Sequence, residues 1–199
     1  MLTVGSRTRN ARSGTEFEVL ELGERRLVMR QTMPGPTRAD DFVPHFHVGW
    51  DEAFDVLEGR GAYLLRGKTY PIAAGETVTF PERVPHRQPV NREPAPLVVD
   101  QRVDVTGELP PDALASTVGF FFTMYDWEAQ GRIALSAYGL PRNPLQFALA
   151  ARTLARGGSY DARFPKLAAD LLGATMGRLA RLLGHEVIDP KWRTERTDA

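Results

Sequence analysis

Short hydrophobic stretches alternate with turn residues between Phe17 and Val105. Many short strands at even spacing are typical of a β-sandwich or β-barrel. The segment Arg66-Gly67-Lys68 fits a tight hairpin turn. We therefore predict a β domain over residues 16–108, preceded by a loose polar arm over residues 1–15. The predicted strands cover residues 17–22, 27–33, 52–57, 62–65, 69–72, 77–80, 86–90 and 97–105.

After Pro110-Pro111 the pattern becomes helical, and residues 109–199 are predicted to form a helical C-terminal extension. Its helices are expected over residues 112–127, 143–156 and 165–183. Asn143 is a good helix cap, and Pro144 suits the first helical position. Gly173 and Gly177 show the small-residue spacing of packed helices. Such a helix packs on its own domain or a second copy more often than on a lipid surface.

Composition and charge exclude several classes of function. The chain has 199 residues, with 25 basic and 25 acidic side chains, so no basic excess suggests nucleic-acid binding. The absence of cysteine rules out disulfides, thiolate zinc sites, iron–sulfur clusters and cysteine nucleophiles. A cytoplasmic location fits this composition. No apolar run is long enough to predict a transmembrane segment.

Three of the four histidines fall into an arrangement that suits metal binding. His45 and His47 would share one face of a strand, because alternate residues of a strand point the same way. Glu52 follows shortly afterwards, and His86 begins a later strand that antiparallel pairing could bring alongside. Three imidazoles and one carboxylate suit a single divalent transition metal, namely Fe, Mn, Ni, Cu, Co or Zn, rather than Ca or Mg.

Two motifs carry a family resemblance. The stretch His45-x-His47-x4-Glu52-x6-Gly59 resembles the first cupin motif, and Gly75-x5-Pro81-x4-His86 resembles the second. The chain is therefore similar to single-domain, metal-binding members of the cupin superfamily, with a helical extension added. This resemblance implies a mainly β fold, the cupin jelly-roll β-barrel or double-stranded β-helix. It also implies metal ligation by His45, His47, Glu52 and His86.

Further roles remain open at five positions. Asp51 could replace Glu52 as ligand, although the spacing to Gly59 favours Glu52. Glu52 is also the candidate catalytic residue, since a carboxylate on a metal can act as a general base or remain a fixed ligand. Gln88 should share the face of His86, where it would touch substrate, support a ligand or simply line the barrel. Two side chains on the face of Glu52 are expected to line an apolar substrate cavity: Phe54 and Val56.

The resemblance leads us to expect an enzyme that acts on a small organic molecule, with dioxygenase-type oxidation as the favoured chemistry. Two alternatives stay open. One is a Lewis-acid isomerase, lyase or cyclase, and the other is a module that binds metal or a small ligand without turnover. Cupins often pair through their barrel strands, so a homodimer is also expected.

Overall fold

The computed structural model describes residues 1–37 and 43–194, and its β domain consists of two antiparallel sheets that form a jelly-roll barrel. The strands are β1 (Arg7–Arg9), β2 (Glu16–Leu22), β3 (Arg26–Met33), β4 (His45–His47), β5 (Trp50–Glu58), β6 (Arg60–Leu65), β7 (Lys68–Ala73), β8 (Thr77–Phe80), β9 (His86–Asn91), β10 (Leu97–Val105) and β11 (Ser159–Asp161). Every strand predicted from the sequence is present, with bounds that differ by at most two residues. The six-stranded sheet has the order β1-β2-β3-β10-β5-β8, and the five-stranded sheet has the order β11-β4-β9-β6-β7.

The helical extension follows the barrel in sequence. Its elements are α1 (Ala113–Ala129), α2 (Pro144–Arg156), α3 (Lys166–Ala174), α4 (Met176–Leu182) and a 3-10 turn at Pro190–Trp192. α2 begins as predicted, because the Asn143 side chain accepts the backbone N–H groups of Leu145 and Gln146. Residues 195–199 of the predicted extension lie outside the described residues.

The third predicted helix is instead two helices, α3 and α4, separated at Thr175. Thr175 has φ −100° and ψ −80°, and its hydroxyl donates to the Leu171 carbonyl at 2.8 Å. Such back-bonding by threonine bends helices. A Cβ on Gly173 or Gly177 would come within 3.0 Å of the α2 backbone, so the small-residue spacing serves packing within the chain.

Residues 1–15, predicted to be a loose arm, are part of the fold. β1 pairs with β2, and Leu2 is only 2% exposed in the core. The Leu2 N–H donates to the Arg193 carbonyl, and the Thr8 hydroxyl donates to Asp126 of α1. The prediction was wrong because Arg193 and Asp126, which hold Leu2 and Thr8 in place, are distant in sequence.

Two clusters of buried hydrophobic side chains stabilise the β domain. One lies inside the barrel and includes Phe54, Phe80 and Leu97. The other joins the six-stranded sheet to α1 through Phe17, Leu114 and their neighbours. α1 therefore packs directly over one part of the sheet. No helix in the described part of the chain has the length and apolar character that a membrane span requires.

Candidate metal centre

The two sheets bring the predicted ligands to one place. β4 carries His45 and His47, β9 begins with His86, and the residue directly opposite His86 is His45. Glu52 lies on β5 in the other sheet. Phe46, between the two β4 histidines, stacks on Tyr160 instead, at 5.4 Å between ring centroids. The alternation along β4 is therefore as predicted.

One carboxylate oxygen faces all three imidazoles. Glu52 Oε2 lies 2.9 Å from His86 Nε2, 3.5 Å from His47 Nε2 and 4.0 Å from His45 Nε2. The four potential ligand atoms all lie within 4.8 Å of one another. His47, Glu52 and His86 are at most 2% exposed. The arrangement is a group that could hold one metal ion.

Hydrogen bonds orient two of the rings. His45 Nδ1 lies 2.7 Å from the Val43 carbonyl, and His86 Nδ1 lies 2.8 Å from the Val84 carbonyl. A carbonyl only accepts, so each Nδ1 carries a proton and donates it, which leaves Nε2 directed towards Glu52. Imidazoles that ligate a metal characteristically donate their other ring N–H to a backbone carbonyl in this way.

His47 gives the most direct indication of a missing partner. Neither of its ring nitrogens has a hydrogen-bond partner among the described residues, although the ring is buried. A buried polar atom without a partner costs about 1–3 kcal/mol. Ligation through Nε2 would remove this cost at that atom, so the residues present fit a bound metal.

The site favours the protonation states that bind metal. Burial, together with the neighbouring His86 and His47, lowers the pKa of His45 to about 3. Burial also lowers the pKa of His47. Burial opposes ionisation of Glu52, but contacts with His47 and His86 outweigh it and hold its pKa well below the ordinary value. His45 and His47 are therefore neutral and Glu52 is ionised, which are the protonation states in which these groups bind a metal.

A chain of three glutamines ends on the second oxygen of Glu52. Gln88 donates to Gln31 at 2.8 Å, Gln31 donates to Gln101 at 2.7 Å, and Gln101 donates to Glu52 Oε1. Oε1 is thereby engaged while Oε2 faces the histidines. This geometry favours Glu52 as a fixed ligand over a mobile general base.

The neighbouring carboxylate, Asp51, is directed elsewhere. Its Oδ1 accepts the Glu82 backbone N–H at 2.8 Å. Of the two acidic residues that the sequence offered, only Glu52 belongs to the histidine cluster.

A cavity of about 150 Å³ adjoins the cluster, with His45, His47 and Glu52 in its wall. Its lining is predominantly apolar, and α1 supplies much of the wall opposite the sheet. Polar side chains, including Arg12 and Asp161, contribute to the rest. The helical extension therefore covers His45, His47, Glu52 and His86, which together are the candidate metal-binding group. The aromatic wall residues are Phe17, Trp50, Phe121, Phe122, Tyr125, Tyr138 and Tyr160.

A comparison with protein families matches residues 32–106 to the cupin domain. Over this segment the chain is similar to cupin domains. The match includes all four members of the metal-binding group and ends before α1.

A search of solved structures returned matches at low identity. A cupin-superfamily sugar phosphate isomerase from Silicibacter pomeroyi is 21% identical, with a TM-score of 0.40, and the match covers 47% of this chain and 60% of the isomerase. The nucleoside dehydratase Pac13 is 18% identical, with a TM-score of 0.41, over 53% of this chain and 81% of that one. KdgF from Halomonas sp. is 16% identical, with a TM-score of 0.42, over 50% and 86%. A comparison with curated proteins found no match.

Within the matched segment, Phe54 and Val56 differ from their predicted place. Both are buried in the barrel core and neither lines the cavity. Phe54 contacts Phe80, which in turn stacks on His86 at 4.2 Å between centroids. Phe54 therefore supports His86 from the core side, and neither Phe54 nor Val56 can contact a molecule in the cavity.

Gln88 is buried in the cavity wall, in agreement with its predicted face, and it reaches Glu52 only through two other glutamines. Sequence reasoning missed Gln31, Gln101 and the α1 residues of the wall. Gln31 and Gln101 are polar residues on strand faces that are otherwise apolar, because Met29 and Met33 flank the one at i±2, and Val99 and Val103 flank the other. This interruption was the available signal. Their partners lie on other strands, so sequence spacing does not connect them.

Proposed function

We propose that this protein is a metal-dependent enzyme that acts on a small, largely apolar organic molecule, with dioxygenase-type oxidation as its chemistry. The observation that carries the proposal is the convergence of three imidazoles and one carboxylate in the wall of a predominantly apolar cavity. Catalytic centres differ from structural metal sites in keeping a ligand position accessible. The adjoining cavity supplies that access.

His45, His47, Glu52 and His86 would hold the metal. A set of three nitrogen ligands and one oxygen ligand suits Fe, Mn, Ni, Cu, Co or Zn. When bound, such a metal supplies a Lewis-acidic or redox-active centre at which a substrate and dioxygen can meet.

The chain's own residues define what reaches that centre. Gln101 holds Glu52 in one orientation, and the carbonyls of Val43 and Val84 hold two imidazoles. The apolar wall excludes water and favours an apolar or aromatic molecule. This lining supports oxidation of an apolar substrate over recognition of a highly charged one.

The first test is metal content by elemental mass spectrometry, on protein purified without a chelator or histidine tag. We expect about one equivalent of a transition metal, lost in His47→Ala, His86→Ala and Glu52→Gln. His185→Ala and Asp51→Asn are matched controls, because neither residue belongs to the cluster, and both should retain the metal. A parent protein that stays metal-free after reconstitution would contradict the proposal.

The second test is oxygen consumption by Fe(II)-loaded protein with phenolic and dicarbonyl compounds. Uptake that depends on the substrate and disappears in Glu52→Gln supports an oxygenase. Bound metal and bound ligand without oxygen uptake or product, under several metals, would instead identify a binding module.

A homodimer formed through the barrel strands is part of the same proposal. Light scattering at working concentration should give twice the chain mass of 22.1 kDa. A monomeric mass would contradict this assembly without affecting the metal centre.

A further inference from the structure

A second cavity, which we call the α2–α3 pocket, lies between helices α2 and α3. Its volume is about 140 Å³, and its lining is almost entirely apolar. Phe147 and Ala151 contribute from α2, and Ala169 and Leu172 contribute from α3. All four side chains are only half-buried. The helices thus leave apolar surface uncovered between them.

The α2–α3 pocket shares a wall with the cavity at the metal-binding group. Three side chains line both spaces and form the boundary between them: Leu140, Leu154 and Tyr160. Rotation of leucine side chains requires no change in the backbone. Together the two spaces approach the lower limit of about 300 Å³ that is usual for a small-molecule site.

The charges around the α2–α3 pocket argue against a polar occupant. Among the residues that the structure describes, Asp161 is the only charged one in the lining, and its carboxylate pairs with Arg163 at 2.6 Å. The Tyr160 hydroxyl is directed to Asp170 and to the Ala155 carbonyl. The described lining therefore contains no cation that could bind a phosphate or carboxylate group.

We infer that the substrate has an elongated apolar part, an alkyl or aryl chain, that passes Leu140 and Leu154 and ends in the α2–α3 pocket. Its metal-binding head lies at His45, His47, Glu52 and His86. This inference rests on the proposed function, since it assigns the class of molecule that the same site takes. Ala151 and Ala169 determine the available length, because their small side chains keep the pocket open.

The test uses titration calorimetry of Zn(II)-loaded protein with acetohydroxamic, hexanohydroxamic and decanohydroxamic acids. The hydroxamate head binds the metal, and only the alkyl length changes. Burial of each added methylene should tighten binding roughly threefold. The Ala151→Leu and Ala169→Leu variants fill the pocket from opposite helices, and Ala174→Leu is the matched control at an exposed α3 position outside the lining.

We expect the gain from the hexano to the decano compound in the parent and in Ala174→Leu, and its loss in both pocket variants. Binding of acetohydroxamic acid should be the same in all four proteins. Circular dichroism and thermal unfolding check that each variant is folded. A parent without any gain from chain length, or a gain that persists in both pocket variants, would overturn the inference.

The His86→Ala variant separates this inference from the proposed function. If acetohydroxamic acid binds neither the parent nor His86→Ala, while the decano compound binds both and loses affinity in the pocket variants, the metal-bound head is refuted and the apolar site is supported. If acetohydroxamic acid binds the parent alone and chain length has no effect, the proposed function is supported and the inference is refuted.

Discussion

The rings of His47 and Trp50 lie face to face, with centroids 3.4 Å apart and an interplanar angle of 22°. The Trp50 indole N–H donates to the Gly157 carbonyl at 2.8 Å, at the end of α2. One side chain thus connects a candidate metal ligand of the barrel with the helical extension. Neither ring nitrogen of His47 has a hydrogen-bond partner among the described residues, so the stacked indole is the main contact that orients this ring.

Substitution of Trp50 should separate orientation from stability. Trp50→Phe keeps an aromatic face against His47 but leaves the Gly157 carbonyl unpaired, which should cost about 1–3 kcal/mol with little change in metal affinity. Trp50→Ala removes the face as well and should weaken metal binding by roughly tenfold or more. Chelator competition measures the affinity, and urea unfolding measures the stability.

Trp127→Phe is the matched control for Trp50. Trp127 is also buried, and its indole N–H donates to Asp189, far from the metal-binding group. This variant should lose stability and keep its metal affinity. Equal losses of affinity in Trp50→Phe and Trp50→Ala would refute the role of the stacked face.

The glutamine chain predicts a graded effect on metal binding. Gln101→Leu frees Glu52 Oε1 and should lower metal affinity by about tenfold to a hundredfold, because partners of ligating carboxylates contribute on that scale. The Co(II) absorption spectrum should change with it, since the carboxylate can then rotate. Gln88→Leu, at the far end of the chain, should have a smaller effect. Identical affinities and spectra in the parent and Gln101→Leu would contradict this reading.

Gly158 is a site where the close approach of backbone segments excludes a side chain. It has φ +75°, and a Cβ would lie 2.3 Å from the Val48 carbonyl oxygen. Gly139 has nearly the same φ, +74°, with nothing within 4 Å of its Cβ position. Gly139→Ala should cost only the backbone strain, about 1 kcal/mol, whereas Gly158→Ala should cost clearly more. Equal melting temperatures for the two variants would contradict the contact between β11 and the β4–β5 turn.

The Asp55–Arg102 pair predicts part of the response to acid. The hydrogen bond from Arg102 lowers the pKa of Asp55 below that of the unfolded chain, which is about 3.9. The stabilisation is therefore present above about pH 4 and is lost as the pH falls through the folded-state pKa. Asp55→Asn should reduce the free energy of unfolding by about 1 kcal/mol or less at neutral pH.

Urea unfolding at neutral pH and at about pH 2 measures this response. The difference between the parent and Asp55→Asn should shrink at the lower pH. Asp104→Asn is the control, because Asp104 pairs with Arg26 at a more exposed position, and its effect should be smaller. A difference that grows towards low pH would contradict the assigned sign.

The sequence alone determined the local features of this protein. Alternating residues and turns predicted eight strands, Asn143 and Pro144 predicted the start of α2, and motif spacing singled out the four members of the metal-binding group. Each of these signals depends on neighbours along the chain, or on two motifs with fixed spacing. The pairing that brings His86 beside His45 was expected from the same pattern.

Only the tertiary structure decided what surrounds that group. The contacts of Leu2 with Arg193 and of Thr8 with Asp126, the contact of Trp50 with Gly157 and the glutamine chain all join residues that are distant in sequence. The cover that α1 forms and the α2–α3 pocket likewise depend on how helices pack against the barrel. Such contacts produce no periodic pattern of hydrophobic residues in the sequence, because each of them depends on a few isolated residues.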